Sequence, residues 1–271
     1  MFEINGNTKI CGLLGYPISH TKSPQLHNKW IRQYNKNGVY IPFQMCHLDK
    51  SFFDFLRFND NILGLNVTIP YKQEVIEFLD DISEEVNYIK AVNTILKKEG
   101  KLIGYNTDYK GFVKPLFDLG FKSGNILLIG AGGASYAVYY SLINFLKIEH
   151  LFLINRTREK AEILASSFNF GNVSIIDKIS QDLLNSCSLI INTTSLGMGK
   201  LADKMPFDLF GCENLCFTDK QIVYDLIYNP AETLLLKKAK QDGAKVINGM
   251  PMLIEQAKYS FEIWFGVYPD E

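Results

Sequence analysis

The stretch Asn125–Lys147, NILLIGAGGASYAVYYSLINFLK, constrains this chain more than any other. Ile126–Ile129 is short and wholly apolar, the pattern of a strand buried on both faces of a parallel sheet. Gly130, Gly132 and Gly133 break the run, and Ala134–Leu146 continues as an apolar helix. A strand, a tight glycine turn and a helix open a dinucleotide-binding βαβ unit. Glycines let the backbone approach a pyrophosphate closely, and the free N–H groups of a helix start receive its charge. Gly130, Ala131, Gly132, Gly133 and Ala134 are therefore candidate cofactor-binding residues. The third fingerprint position holds Ser135 instead of Gly or Ala, which predicts a helix packed slightly further from its strand. Two other readings compete: an ordinary α/β turn, and a transmembrane helix, since Ile126–Leu146 carries no charge and is about long enough to span. Glycines clustered near one end, with polar and aromatic residues beyond them, favour the buried βα unit.

The segments downstream keep the same rhythm. Apolar runs recur at Leu151–Ile154, Val173–Ile176, Leu189–Ile191, Val223–Tyr228 and Lys245–Ile247, with helical stretches between them. This is the pattern of a doubly wound parallel sheet. Upstream, Lys9–Leu14, Val39–Cys46, Ile62–Val67, Ala91–Lys97 and Lys101–Tyr105 read as strands. Ser23–Tyr34, Lys50–Phe58, Glu74–Asp80 and a segment opened by Ser83 read as helices. Ser23 is expected to cap the first of these, with Pro24 in its first turn, and Pro42 to mark an edge or a bulge. The fold class is thus α/β with two domains: a mixed α/β domain over residues 1–107 and a Rossmann domain over 108–248. Residues 249–271, containing a helix from Pro251 to Phe265, are expected to return to the first domain, with a cleft between the two.

Composition narrows the function. A formal net charge of −1 with no basic run argues against nucleic acid or an anionic membrane as partner, leaving a small molecule. The opening MFEINGNTKICG has no basic start and apolar core of a signal peptide. Five cysteines at scattered positions form neither a disulfide framework nor a zinc pattern, so they read as reduced thiols in the cytoplasm.

The end of the second Rossmann strand indicates which nucleotide is held. An NAD site has an acidic residue there for the ribose hydroxyls. Here the run is Asn155, Arg156, Thr157, Arg158. A guanidinium fork grips a 2′-phosphate, and no carboxylate repels it, which predicts NADP over NAD. The competing reading has Arg156 and Arg158 merely capping and solubilising the next helix.

Several further motifs occur in order. They are Gly15-Tyr-Pro-Ile-Ser-His-Thr-Lys-Ser-Pro-Gln-Leu-His-Asn28, Gly64-Leu-Asn-Val-Thr-Ile-Pro-Tyr-Lys72, Ala91-Val-Asn-Thr94 and Gly104-Tyr-Asn-Thr-Asp108. The glycine loop, Asn155-Arg156-Thr157, Asn192-Thr-Thr-Ser-Leu-Gly-Met198, Tyr224-Asp-Leu-Ile-Tyr228 and the tail Gly249–Gln256 follow. Together they resemble the shikimate dehydrogenases over nearly the whole chain. The resemblance implies NADP-dependent interconversion of 3-dehydroshikimate and shikimate in aromatic amino-acid biosynthesis. It implies Lys72 and Asp108 as the catalytic pair.

That pair makes chemical sense. Hydride reduction of a ketone leaves a developing alkoxide that needs a proton, and a lysine supplies both proton and stabilising charge. By the same resemblance Thr21 and Ser23 hold the substrate carboxylate, and Asn66, Thr68, Asn93 and Asp108 its hydroxyls. Tyr228 and Gln256 approach from elsewhere in the chain. Asn66 and Asn93 have an alternative role in satisfying backbone groups at turns. Thr193, Thr194, Ser195, Met198, Leu226 and Gly249 join the cofactor site. Thr21 departs from the family's usual Ser, and its methyl bears on the choice between shikimate and quinate. His20 and His27 read as structural. An NAD-linked quinate/shikimate dehydrogenase and a non-catalytic nucleotide-binding paralogue are the alternatives, and the expected state is monomer or homodimer.

Overall fold

The computed structural model describes residues 4–19, 21–212 and 215–270, so His20 lies outside the described residues. The chain forms two units, Met1–Thr107 with Gln256–Glu271, and Asp108–Glu255.

The first unit contains β1 (Lys9–Gly15), α1 (Ser23–Gln33), β2 (Gly38–Gln44), α2 (Lys50–Phe58), β3 (Ile62–Val67), β4 (Asp81–Ile82), α3 (Glu84–Ile89), β5 (Thr94–Lys98) and β6 (Lys101–Tyr105). Its sheet runs β2-β1-β3-β5-β6-β4, with β1 parallel to both neighbours and β5 antiparallel to both of its own. Pro42 sits in β2, an edge strand, where its missing N–H costs least. Glu99 and Gly100, both at positive φ, make the two-residue hairpin turn between β5 and β6. Helix α2 buries Phe53 and Leu56, and Asp49 caps it by accepting from the Ser51 N–H at 2.8 Å.

Two expectations change. Ser23 does not cap α1: it is already the first helical residue, with Pro24 behind it and Lys22 at the cap position. The Thr21 hydroxyl takes over, accepting from the Ser23 N–H at 3.2 Å. The segment expected as a helix at Glu74–Asp80 is a single 3₁₀ turn, Glu74–Phe78. Five residues are too few to pass the nucleation cost of an α-helix.

His27 is buried in an aromatic cluster of the first unit, stacked on Tyr40 at 4.3 Å and edge-on to Trp30 at 5.4 Å. Neither ring nitrogen meets a hydrogen-bonding group among the described residues, and burial pushes its pKa down to about 3. The folded state therefore holds His27 neutral, whereas the unfolded chain protonates it near pH 6.5. The unfolded state binds the extra proton, so stability falls as pH drops from about 6.5 toward 3. Replacing His27 by Phe should flatten the dependence of unfolding free energy on pH between about 6.5 and 5, above most carboxylate titrations. Urea titrations across that interval measure it; an unchanged slope refutes the assignment.

The second unit opens with α4 (Asp108–Asp118) and continues through β7 (Ser123–Ile129), α5 (Gly133–Phe145), β8 (Lys147–Ile154), α6 (Arg158–Ser166), β9 (Val173–Ile175) and α7 (Gln181–Ser186). It ends with β10 (Cys187–Asn192), β11 (Ile222–Asp225), α8 (Leu234–Gln241) and β12 (Lys245–Ile247). Helix α9 (Gly249–Phe265) begins in this unit and continues into the first from Gln256. The sheet runs β12-β11-β10-β7-β8-β9, and every neighbouring pair is parallel. The order reverses between β7 and β10, the switch point where open parallel sheets bind ligands.

β7 explains its own composition. Ile126 and Leu128 join one core with Leu142, Leu151 and Tyr224, whereas Leu127 and Ile129 join the opposite core with Ile190 and Val223. Both faces are covered, so alternation disappears from the sequence. The uncharged stretch Ile126–Leu146 is divided between this strand and α5, and no described helix is long and apolar enough to cross a membrane.

Candidate active site

In the first unit, Asn66, Thr68 and Asn93 lie at or beside the ends of β3 and β5, next to the loop that carries Lys72. The Thr68 N–H donates to Leu14 O at 2.9 Å, and the Val67 N–H donates to Asn93 O at 2.9 Å. The loop then turns through a Tyr71 N–H to Thr68 O bond of 3.0 Å. Tyr71 is buried, and its hydroxyl donates to Met45 O at 2.7 Å, so the residue before Lys72 is anchored. The Val92 N–H donates to Lys72 O at 2.7 Å, fixing the lysine backbone beside Asn93. Thr21 and Ser23 meet at 3.2 Å between hydroxyls, at the start of α1.

Asn66 and Asn93 form a buried polar network. The Asn66 amide nitrogen donates to Asn93 O at 3.0 Å and to Ser260 Oγ at 2.9 Å, while its Oδ1 accepts from the Tyr40 hydroxyl at 2.8 Å. Asn93 Oδ1 accepts from the Thr107 N–H at 2.8 Å, and its Nδ2 reaches Thr107 Oγ1 at 2.9 Å and Gln256 Oε1 at 3.3 Å. Both amides are thus oriented before any ligand arrives, and the alternative role of satisfying the fold is met simultaneously. Asp108 follows Thr107 directly, is buried, and begins α4, where a helix N-terminus favours a carboxylate.

In the second unit, the glycine turn connects β7 to α5. Gly130 has φ of +110°, and a Cβ there would stand 2.4 Å from Thr193 Oγ1, so only glycine fits without displacement. Ser135 is fully buried, and its hydroxyl lies 3.0 Å from Gly130 O, 3.1 Å from the Gly132 N and 2.7 Å from Thr193 Oγ1. The hydroxyl is absorbed as a brace of the turn, which the sequence reading of Ser135 as a spacer did not foresee. Gly132 N–H and Ala131 N–H are spent on Ser135 and on Asn155 Oδ1. The N–H groups of Gly133 and Ala134, at the exposed start of α5, have no protein acceptor among the described residues. They suit a pyrophosphate.

Asn155 also donates to Thr157 O at 2.8 Å, so it couples the glycine turn to the basic loop. Arg158 is engaged by Glu162 and Asp177. Arg156 is exposed and has no carboxylate partner among the described residues, which suits it to a phosphate. At the end of β10, expected to meet the nicotinamide, the Thr193 hydroxyl donates to Ile129 O at 2.9 Å and the Thr194 hydroxyl to Asn192 Oδ1 at 2.7 Å, both turned inward. Ser195 and Met198 are exposed, and Leu226 and Tyr228 are half-buried. The Leu226 N–H donates to Asn192 O at 3.0 Å, and the Gly249 N–H to Ile227 O at 2.9 Å, so three loops meet at the ends of β10 and β11. The donor set fits an NADP molecule: free helix-start amides for its diphosphate and an unpaired guanidinium for its 2′-phosphate.

Comparison with known proteins gives the family. The profile "Shikimate dehydrogenase substrate binding domain" matches residues 13–95, "Shikimate / quinate 5-dehydrogenase" residues 113–201, and "Shikimate 5'-dehydrogenase C-terminal domain" residues 249–271. Shikimate dehydrogenase (NADP(+)) of Carboxydothermus hydrogenoformans is 42% identical over 98% of this chain and 95% of its own. The chain belongs to the shikimate dehydrogenase family. Among solved shikimate dehydrogenases, that of Thermus thermophilus in complex with NADP(H) and shikimate superposes with a TM-score of 0.82 at 30% identity, covering 97% of this chain and 95% of that one. A quinate dehydrogenase from Corynebacterium glutamicum in complex with NAD gives a TM-score of 0.87 at 27% identity, covering 97% and 95%.

For a shikimate dehydrogenase, sequence reasoning missed Tyr40, Ser260, Thr94, Thr107 and Asp225. Thr94 and Thr107 lie inside motifs already singled out, beside Asn93 and Asp108. Ser260 is one helical turn beyond Gln256, a spacing that signals a shared face. Tyr40 carried no signal beyond a strand pattern.

Proposed function

We propose that Lys72, paired with Asp108, moves the proton in an NADP-dependent, reversible reduction of 3-dehydroshikimate to shikimate. The observation that carries this reading is the pair of braced amides, Asn66 and Asn93, beside the backbone of the Lys72 loop. NADP(H), when bound, would provide the hydride chemistry of this reaction in either direction. Lys72 Nζ holds the proton that neutralises the developing alkoxide, and its charge stabilises that oxygen beforehand. Asp108 orients the ammonium and accepts from a ring hydroxyl. Thr21 and Ser23 bind the carboxylate at the start of α1, aided by the helix dipole. Thr68, Tyr228 and Gln256 complete the contacts with substrate. Gly133 and Ala134 amides take the diphosphate, and Arg156 the 2′-phosphate. Five free thiols support a cytoplasmic setting, with the protein acting as monomer or homodimer.

Nicotinamide absorbance in assays pairing shikimate or quinate with NADP⁺ or NAD⁺ tests the reading. NADP⁺-selective oxidation of shikimate is expected. Arg156→Ala should raise KM for NADP⁺ at least about tenfold, the loss of a charged hydrogen-bonding partner, and leave KM for NAD⁺ within about twofold. An unchanged preference refutes the phosphate role of Arg156. Faster turnover of quinate with NAD⁺ would transfer the assignment to quinate oxidation, toward which the Thr21 methyl points.

A further inference from the structure

Asp225 closes β11, and its side chain is completely buried. Its strand neighbour in register is Asn192, the last residue of β10, which in turn pairs with Ile129 just before the glycine turn. Three donors surround the carboxylate: Asn192 Nδ2 at 2.9 Å and the Ile227 N–H at 3.1 Å on Oδ1, and the Thr233 hydroxyl at 2.6 Å on Oδ2. The Thr233 oxygen itself accepts from the Leu236 N–H at 3.3 Å, which leaves its hydrogen for Asp225. No lysine, arginine or histidine among the described residues pairs with Asp225. Burial pushes the carboxyl above its usual range, and the three donors oppose that rise. The Asn192 amide nitrogen and the Ile227 N–H can only donate, and with the Thr233 hydroxyl donating as well the cage suits the ionised form. In that form Asp225 is a buried negative charge with no lysine, arginine or histidine paired to it among the described residues, at the ligand-binding end of the sheet.

The proposed chemistry gives that charge a use. The nicotinamide ring is a cation when oxidised and neutral when reduced, and a nearby desolvated anion interacts with the two forms differently. We propose that Asp225 favours the oxidised cofactor over the reduced one through its charge, while its hydrogen bonds hold the Asn192 and Leu226–Tyr228 loops in position. Asp225 acts through Asn192 and Ile227 without touching the reacting atoms, so it is a positioning and field-setting residue. This inference rests on the NADP reading above, with the nicotinamide end against Asn192–Met198 and Leu226.

Dissociation constants for NADP⁺ and NADPH, measured separately without substrate, test it. In Asp225→Asn the NADP⁺ constant should rise about five- to tenfold more than the NADPH constant, the scale of removing one unit charge at an intermediate effective dielectric constant. Asp225→Glu keeps the charge and alters the bond lengths, and Thr233→Val keeps the charge and removes one donor. In both, the ratio of the two constants should stay within twofold of wild type even where both affinities fall. Equal weakening of both forms in Asp225→Asn makes the residue purely structural and overturns the proposal. A ratio that shifts in Thr233→Val overturns it as well, and that variant decides the matter if Asp225→Asn does not fold. Wild-type protein that binds NADP⁺ and NADPH no better than NAD⁺ and NADH would instead fail the NADP reading, whatever the variants do.

Discussion

Lys72→Ala is expected to lower kcat by about 10²–10⁴-fold, the contribution of a positioned acid–base group. The loss should fall on kcat, with KM for shikimate changed far less, because the carboxylate and hydroxyl contacts belong to other side chains. Folding should survive. Lys72 is held through its backbone, by the Val92 N–H to its carbonyl, and by its neighbour Tyr71, whose ring is buried. Truncating the side chain removes neither anchor. The thermal midpoint should therefore match the parent, and saturating shikimate should restore no rate. A variant that turns over normally ends the proposed role. Lys72→Arg is a sharper comparison: it preserves charge but holds its proton too tightly to exchange it, so it should resemble the alanine variant.

Gly249→Ala should be the most damaging single-methyl change in the second unit. An added Cβ would stand 1.9 Å from Leu226 O and 2.6 Å from the carbonyl carbon of the same residue. Both are backbone atoms that no rotamer change can move. The Gly249 N–H also donates to Ile227 O at 2.9 Å, so the start of α9 is tied to the segment it would have to leave. Relief requires shifting either the helix or the loop after β11. The cost should be about 3 kcal/mol, at the upper end of overpacking penalties. A lowered thermal midpoint and weakened NADP⁺ binding should appear together, since one shift moves Gly249 and the other Leu226, both in the proposed cofactor site. Gly171→Ala serves as control, because a Cβ there meets nothing within 4 Å. If both variants melt alike, the close approach at Gly249 has no energetic weight.

Much of the fold was legible because its signals are local. Apolar runs such as Ile126–Ile129 declare buried parallel strands, and glycines after them declare a turn that a side chain would obstruct. Less legible were features set by what another segment does. Ser23 reads as a cap by composition, yet the chain enters α1 one residue earlier and gives the capping amide bond to Thr21. Glu74–Asp80 carries helical residues but too few to sustain more than a 3₁₀ turn. In the candidate site, Asn66 was visible through the family motif Gly64–Lys72 that contains it. Its partners Tyr40 and Ser260 were not, because they lie 26 and 194 positions away and only the folded register brings them together. Likewise a sequence shows two arginines after β8 but not that Arg158 has carboxylates of its own.

Hydrogen bonds tie together several segments of the proposed cofactor site in the second unit. From Thr157 they pass through Asn155 to Ala131, and from Gly132 through Ser135 to Thr193. From Thr194 they continue through Asn192 and Asp225 to Thr233, the cap of α8. Anyone redesigning the adenosine end, for instance to accept NAD⁺ by exchanging Asn155 for an acidic residue, will therefore also be editing the end where hydride moves. Cofactor preference and turnover should behave in such libraries as one trait with two readouts, and compensating changes should accumulate along this line of bonded residues.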